Sequence, residues 1–334
     1  MNAPLLRVDG LRVEFNLAHG VVRAVDGASF ELHTGEALGI VGESGSGKTM
    51  ALRALVGLLP PTASVTGGTV EIDGVDVASA GEDGRRALRG RTVSMIFQEP
   101  MTALNPVMRV GDQISEMPMV RLGYTRRAAR GRALELMRLV GIPDPKRRVS
   151  AYPHELSGGM RQRVMIAIAL SGDPKLILCD EPTTALDVTI QDQILKLLGS
   201  LQRELGVSLV FVSHDLAVIA QTCSRVAVMY AGQVVETGTV DAVFREPRHP
   251  YTLGLLRSVP DFDVVRTHLS SIPGRPPDLA APPVGCRFHP RCAFVEDDCR
   301  TSETPLRPLP GGRSTACLHY ERTLEAVEAD RARP

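Results

Sequence analysis

The chain contains no tryptophan, and aromatic residues make up only 4% of its 334 positions. Aliphatic side chains must therefore pack most of the core, which suits a layered α/β architecture. It also lacks a net charge, since Lys plus Arg and Asp plus Glu both number 38. That balance gives no support for nucleic-acid binding, which calls for a basic surface. No apolar run approaches the roughly 18–20 residues of a membrane span. The opening Met1-Asn2-Ala3-Pro4 has neither a basic start nor an apolar stretch, so no signal peptide is expected. The expectation is a soluble cytosolic chain whose membrane role, if any, comes through a partner. Internal repeats and long low-complexity tracts are absent too. The length allows one large α/β domain and a smaller appendage.

What is present begins with Gly42-Glu43-Ser44-Gly45-Ser46-Gly47-Lys48-Thr49. Residues 36–41 read as a short buried strand before it, and residues 50–59 as a helix after it. Strand, glycine-rich loop and helix form the context that a G-x-x-x-x-G-K-[ST] match requires. The glycines let backbone N–H groups turn inward around phosphate oxygens, and the helix N-terminus adds partial positive charge. Lys48 is expected to reach the β- and γ-phosphates, and the Thr49 hydroxyl to hold Mg²⁺.

Leu176-Ile177-Leu178-Cys179 is a continuous apolar run, the pattern of a buried parallel strand, and it ends in Asp180-Glu181-Pro182. Carboxylates there sit where open α/β sheets bind ligands. Asp180 is expected to bind Mg²⁺, directly or through water, and Glu181 to orient and polarise the attacking water. A third strand, residues 209–213, leads into His214, placed to sense the γ-phosphate. A fourth, residues 92–97, ends at Gln98, whose amide suits contact with both Mg²⁺ and the water. Cys179 reads as a small buried hydrophobe rather than a reactive thiol.

Leu156-Ser157-Gly158-Gly159-Met160 opens a patterned helix that runs through Leu170. Ser157 is a natural N-cap. An ordinary capped helix needs at most one glycine, and two after a serine suggest a phosphate contact. The nucleotide already has its cradle at 42–49. The simplest use for a second anion turn is to cap a γ-phosphate held by another subunit.

With these four stretches in order, the chain resembles an ATP-binding cassette (ABC) transporter ATPase over roughly residues 5–255. The LSGGM run at 156–160 is the most specific mark. Ala185-Leu186-Asp187 matches the D-loop of that family and His214 its switch histidine. The resemblance implies a P-loop α/β core, an N-terminal antiparallel β-subdomain, an inserted helical subdomain at about 99–172, and ATP with Mg²⁺ as ligands. It also places Phe15 as the aromatic that stacks on adenine, although Asn16-Leu17-Ala18-His19-Gly20 lengthens the next turn. Intact Lys48, Asp180, Glu181 and His214 argue against a binding-only subunit with a dead site.

A narrower resemblance, to the dipeptide and oligopeptide permease branch, rests on three further stretches. They are Gln98-Glu99-Pro100-Met101-Thr102-Ala103-Leu104-Asn105-Pro106, Asp187-Val188-Thr189-Ile190-Gln191 and His249-Pro250-Tyr251-Thr252. It implies ATP hydrolysis that drives peptide import, from a peripheral position on the cytoplasmic face of the membrane. The implied partners are a second ATPase that is a different homologous chain, two transmembrane permease subunits and an extracytoplasmic substrate-binding protein. The segment after Gln98 would help receive a coupling helix. Nickel or another small solute is the alternative cargo, and a non-transport ABC ATPase the alternative class. For Met101, Met108, Met117 and Met119, core or gap filling is the expectation for most.

Residues 107–155 lack strong strand signals, and residues 125–140 read as an amphipathic helix stopped by Gly141. Arg126, Arg127, Arg130 and Arg132 are its expected solvated face. Four of the six cysteines, Cys286, Cys292, Cys299 and Cys317, follow a proline-rich approach at 272–283 and mark a 256–334 extension as a small irregular tail. Disulfides do not suit a cytosolic protein. Zinc lacks its common C-x₂₋₄-C pairs here, and four loop thiolates also suit an iron–sulfur cluster. Cys-Arg-Phe-His-Pro-Arg-Cys resembles the C-terminal motif of peptide-importer ATPases, some of which bind a [4Fe–4S] cluster. The cluster is thus the expectation, with zinc the alternative and His289 and His319 as bystanders. Lying outside the nucleotide motifs, these cysteines should matter more to tail order and assembly than to nucleotide binding.

Overall fold

The computed structural model describes residues 3–17, 20–184, 186–258 and 271–331. Met1-Asn2, Ala18-His19 and Ala185 of the proposed D-loop lie outside the described residues.

The strands are β1 (Leu6–Leu17), β2 (Gly20–Leu32), β3 (Ala37–Val41), β4 (Ala63–Ile72), β5 (Val75–Asp76), β6 (Val93–Ile96), β7 (Leu176–Asp180), β8 (Ser208–Ser213), β9 (Arg225–Tyr230), β10 (Gln233–Thr239), β11 (Arg307–Leu309) and β12 (Arg313–Thr315). The helices are α1 (Lys48–Leu55), α2 (Gly81–Leu88), α3 (Pro100–Ala103), α4 (Val110–Arg121), α5 (Arg126–Leu139), α6 (Pro145–Arg148), α7 (Gly158–Leu170), α8 (Val188–Leu205), α9 (Leu216–Thr222), α10 (Val240–Arg245), α11 (Pro250–Ser258) and α12 (Tyr320–Arg331). No helix among the described residues is long and apolar enough to cross a membrane.

Two compact units interleave along the chain. The first comprises residues 1–5, 32–37 and 72–212, and the second residues 6–31, 38–71 and 213–334. In the first unit β6, β7 and β8 run parallel, with Ile96 opposite Cys179 and Asp180 opposite Val212. Every residue of β7 and β8 is buried, so the apolar runs are core strands covered on both faces. Between β6 and β7 the chain is helical, from α3 through α7, with α4, α5 and α7 packed on one another. This helical stretch matches the expected subdomain. Thr125 caps α5 by accepting from the Ala128 N–H, and Gly141 follows its end with φ +72°. Arg126, Arg127 and Arg130 are exposed, while Arg132 is half-buried and pairs with Asp173 at 2.6 Å. The methionines differ from expectation. Met101 is 58% exposed and Met119 36%, because both lie on the outer side of this helical stretch, while Met108 and Met117 are half-buried.

In the second unit β3 pairs in parallel with β9, Val41 opposite Val228. Antiparallel neighbours extend outward from β9 through β10 to β12 and β11. Among its described residues, the extension after residue 256 is not irregular throughout. Between Cys299 and Cys317 it adds the β11–β12 hairpin to β10, and after Cys317 the twelve-residue helix α12. Helix α1 begins at Lys48 and stops at Leu55, shorter than the sequence reading of 50–59. Gly57 takes φ +65° and its N–H turns back to the Ala54 carbonyl, which ends the helix before Pro60.

Candidate nucleotide site and cysteine pocket

Loop 42–49 belongs to the second unit. It leaves the fully buried β3 and enters α1 through Gly47, whose φ is +100°. A side chain at Gly47 would put its Cβ 2.2 Å from the Ala24 carbonyl oxygen, and one at Gly42 would lie 2.1 Å from that of Met229. Only glycine fits either position, so the tight course of the loop is built in by packing as well as by backbone freedom. Lys48 is 5% exposed and folds over the loop. Its Nζ donates to the Gly42 carbonyl at 2.7 Å and the Glu43 carbonyl at 2.9 Å, with Ser46 Oγ at 3.4 Å. Ser44 and Gly45 are exposed at the tip. An ammonium held among loop acceptors is ready to exchange them for phosphate oxygens. Phe15 is half-buried near the end of β1 in the same unit.

The carboxylate end belongs to the first unit. Asp180 closes β7 and is 1% exposed. Glu181 follows with φ +46°, left-handed backbone that a non-glycine residue adopts at a cost of order 1–3 kcal/mol. Its carboxylate Oε2 accepts from Gln98 Nε2 at 3.1 Å and from the Thr184 hydroxyl at 2.9 Å. Its N–H donates to the Val212 carbonyl at 3.1 Å. The structure thus joins Gln98 and Glu181, two residues that the sequence linked only by role. The second anion turn lies in the same unit. Ser157 caps the thirteen-residue α7 by accepting from the Met160 N–H at 3.4 Å, and Ser157 and Gly158 are exposed. A Cβ at Gly159 would come within 2.8 Å of Ile190, so that glycine serves packing on α8. At Gly158 the nearest atom would be 3.7 Å away, so internal packing leaves its small size unexplained. His214 is exposed directly after β8, and Asp215 caps α9 by accepting from the Ala217 N–H at 2.8 Å.

Cys286, Cys292, Cys299 and Cys317 line one pocket of the second unit, with Phe288, Phe294, His289 and His319 around it. None of the four forms a disulfide. Burial pushes the Cys292 thiol up to about 11 and Cys317 up to about 12, and each is raised further by the neighbouring thiols of the set. Four thiols lining one pocket make a donor set whose chemistry fits a thiolate-held metal centre. His319 Nε2 is hydrogen-bonded to Asp298 at 2.8 Å, and His289 Nδ1 lies 3.0 Å from the Cys286 carbonyl, so both rings have other partners. The Asp298, Cys299 and His319 ligand atoms nonetheless lie within 4.8 Å of one another, which keeps a mixed zinc set chemically open. Cys179 is buried in β7 and Cys223 lies elsewhere in the fold, its thiol pushed up to about 12 by burial.

The cysteines themselves stay outside the nucleotide loop, but residues of the stretch that carries them reach it. Arg291, one residue before Cys292, ion-pairs with Glu43 at 2.7 Å. Tyr251, from the His-Pro-Tyr-Thr stretch, accepts a hydrogen bond from the Glu43 N–H at 2.8 Å. The Tyr251 ring packs on Tyr230 at 4.5 Å and on Phe288 at 5.5 Å, and Phe288 belongs to the cysteine motif. Arg287 reaches the Asp26 carboxylate and the Ala231 carbonyl. Sequence reading missed Arg291 and Tyr251 as loop partners, and Tyr230 and Arg287 as parts of the packing around them. The motifs holding Tyr251, Arg287 and Arg291 were visible, but nothing local showed what they touch.

A lysine-bearing phosphate loop, a carboxylate pair closing a parallel strand and an exposed serine–glycine helix start are the equipment of an ATP-hydrolysing cassette. Comparison with known families and proteins bears this out. Residues 25–184 match the family described as ABC transporter, and residues 235–299 match the oligopeptide/dipeptide transporter C-terminal region. The chain is 49% identical over 316 residues to the dipeptide transport ATP-binding protein DppD of Escherichia coli, covering 95% of this chain and 96% of that protein. It is 50% identical over 304 residues to the oligopeptide transport ATP-binding protein OppD of Bacillus subtilis, covering 90% and 85%. Among solved structures, a dimeric ATP-binding cassette in a post-hydrolysis state with ADP and Pi superposes with a TM-score of 0.63 at 27% identity, over 70% of this chain and 98% of that one. The chain belongs to the ABC transporter ATPase family, and it is an ATPase.

Proposed function

We propose that the chain is the ATP-hydrolysing subunit of an importer for dipeptides or oligopeptides. The observation that carries this reading is the match of residues 235–299 to the oligopeptide/dipeptide transporter C-terminal region, on top of the cassette match. In this reading residues 1–255 are the nucleotide-binding domain and residues 256–334 the extension that carries the cysteines. Two such ATPases, different homologous chains by resemblance, work with two transmembrane permease subunits and an extracytoplasmic binding protein. The chain sits peripherally on the cytoplasmic face of the membrane.

ATP binds at Gly42, Glu43, Ser44, Gly45, Ser46, Gly47, Lys48 and Thr49, with backbone N–H groups and Lys48 on the phosphates and Phe15 on adenine. Thr49, Gln98 and Asp180 would hold Mg²⁺, which screens phosphate charge when bound. Glu181 orients and polarises the attacking water, and Gln98 and His214 complete the catalytic set. The hydrogen bonds from Gln98 and Thr184 to Glu181 support that role, because a water-activating carboxylate must be aimed. Ser157, Gly158 and Gly159 contact the γ-phosphate held by the facing subunit, so hydrolysis and subunit closure are coupled. Cys286, Cys292, Cys299 and Cys317 would hold a [4Fe–4S] cluster, with zinc as the alternative, cross-linking the loops that carry them.

The test is purification of the intact complex and an uptake assay with labelled dipeptides. Copurification with two permease subunits and ATP-dependent peptide uptake is expected. Uptake of nickel but not of peptides, or isolation without membrane subunits, would overturn the reading.

A further inference from the structure

Glu43 is the only acidic residue in loop 42–49, and it stands where a triphosphate brings several negative charges. An uncompensated carboxylate there would oppose binding. The structure places a buried arginine on it. Arg291 Nη1 donates to Glu43 Oε2 at 2.7 Å and Nη2 to Oε1 at 3.0 Å. The Arg291 side chain is 4% exposed and that of Glu43 28%. Other donors of the same guanidinium go to the Pro273 carbonyl at 2.8 Å and the Ile272 carbonyl at 3.4 Å. Its Cζ lies 5.8 Å from the Tyr230 ring centroid and 5.9 Å from that of Phe288. The fork is therefore oriented by the extension before it meets the loop. Two-point arginine–carboxylate pairing fixes direction as well as distance.

The Glu43 backbone is held at the same time. Its N–H donates to Tyr251 Oη at 2.8 Å, and its carbonyl accepts from Lys48 Nζ at 2.9 Å. Side chain, N–H and carbonyl of one loop residue are thus each engaged, and two of the three partners lie about 200 residues or more downstream.

We propose that Arg291 is a positioning residue for ATP binding: it holds the Glu43 carboxylate in a two-point grip, cancels its charge and fixes the entrance of the phosphate loop. This rests on the reading of loop 42–49 as the ATP site. MgATP affinity of the full-length chain, measured by titration calorimetry with folding checked by circular dichroism, tests it. Arg291→Ala should raise Kd about tenfold, the loss of one charge-assisted pair. Arg291→Lys keeps the charge without the fork and should fall between the two. Glu43→Gln with Arg291→Ala should bind more tightly than Arg291→Ala alone, because no carboxylate is left to oppose the phosphates. A purely structural arginine would lower stability in the single and double variants alike and leave the Kd of folded protein unmoved. Lys48→Ala is the control, and its retention of wild-type affinity would overturn the loop reading and the proposal with it. With Lys48→Ala impaired, wild-type affinity in folded Arg291→Ala, or in Arg291→Lys where the alanine variant does not fold, overturns the proposal alone. A double variant no better than Arg291→Ala overturns its charge argument.

Discussion

Replacing Arg313 with methionine removes a buried cation and leaves a buried carboxylate behind. Arg313 in β12 is 8% exposed and Glu236 in β10 is fully buried. Arg313 Nη2 lies 3.2 Å from Glu236 Oε1, and the carboxylate also accepts from the N–H groups of Arg248 at 2.7 Å and His249 at 2.9 Å. This cluster fastens the extension's hairpin and the His-Pro-Tyr-Thr stretch to the same strand. Burial pushes Glu236 up from the usual 4.5 to about 7, against the pull of the nearby Thr252 hydroxyl, the two N–H donors and Arg313. A raised pKa means that the native state binds this proton more tightly than the unfolded chain. The contribution of Glu236 is then complete below about 4.5 and is lost as pH rises to about 7. Without Arg313 a favourable charge is gone, the pKa climbs further, and the decline extends to higher pH. Orphaning one member of a buried pair costs about 3–5 kcal/mol. Two N–H donors remain, and the loss of Arg313 Nε, buried without a partner, returns part of the cost. A net loss of about 2–3 kcal/mol is expected near pH 8.5, and clearly less near pH 6, where Glu236 is protonated. Urea unfolding at the two pH values measures it. Adding Glu236→Gln should restore most of the difference at the higher pH. An equal loss at both values, or wild-type stability near pH 8.5, would refute the reasoning.

Four further outcomes are expected. Lys48→Ala should abolish ATP hydrolysis, at a cost of several kcal/mol in the transition state; wild-type turnover would remove the loop from the mechanism. Glu181→Gln should keep ATP binding and stop hydrolysis, giving an ATP-dependent dimer on gel filtration; a fully active monomer speaks against both the Glu181 role and the shared site. Ser157→Arg should spare binding at its own loop and impair hydrolysis at the facing one, so unchanged activity of the assembled complex refutes completion in trans. Anaerobically purified protein should be brown, and Cys→Ser at 286, 292, 299 or 317 should weaken the colour while changes at Cys179 or Cys223 do not. Colourless protein with stoichiometric zinc assigns the site to zinc.

The sequence by itself determined the parts whose physics is local. Loop 42–49 was legible because a buried strand, spaced glycines and a lysine at a helix start are one continuous stretch. The cap at Ser157 and the helices at 125–140 and through Leu170 were legible for the same reason: their hydrogen bonds run between residues three or four apart. The cysteine set was legible as a set, through spacing and composition. Helix α1 was overrun by several residues because Gly57 could be read as an interior glycine until its positive φ showed the stop. The tertiary structure alone decided three things. It joined Gln98 to Glu181 across 83 positions, bound Arg313 to Glu236 across 77, and set Arg291 on Glu43 across 248. Polar groups so far apart leave no periodicity in the chain. For Arg313 with Glu236 and Arg291 with Glu43 the pairing is chosen by burial, since a guanidinium enclosed by the fold must find its partner inside it.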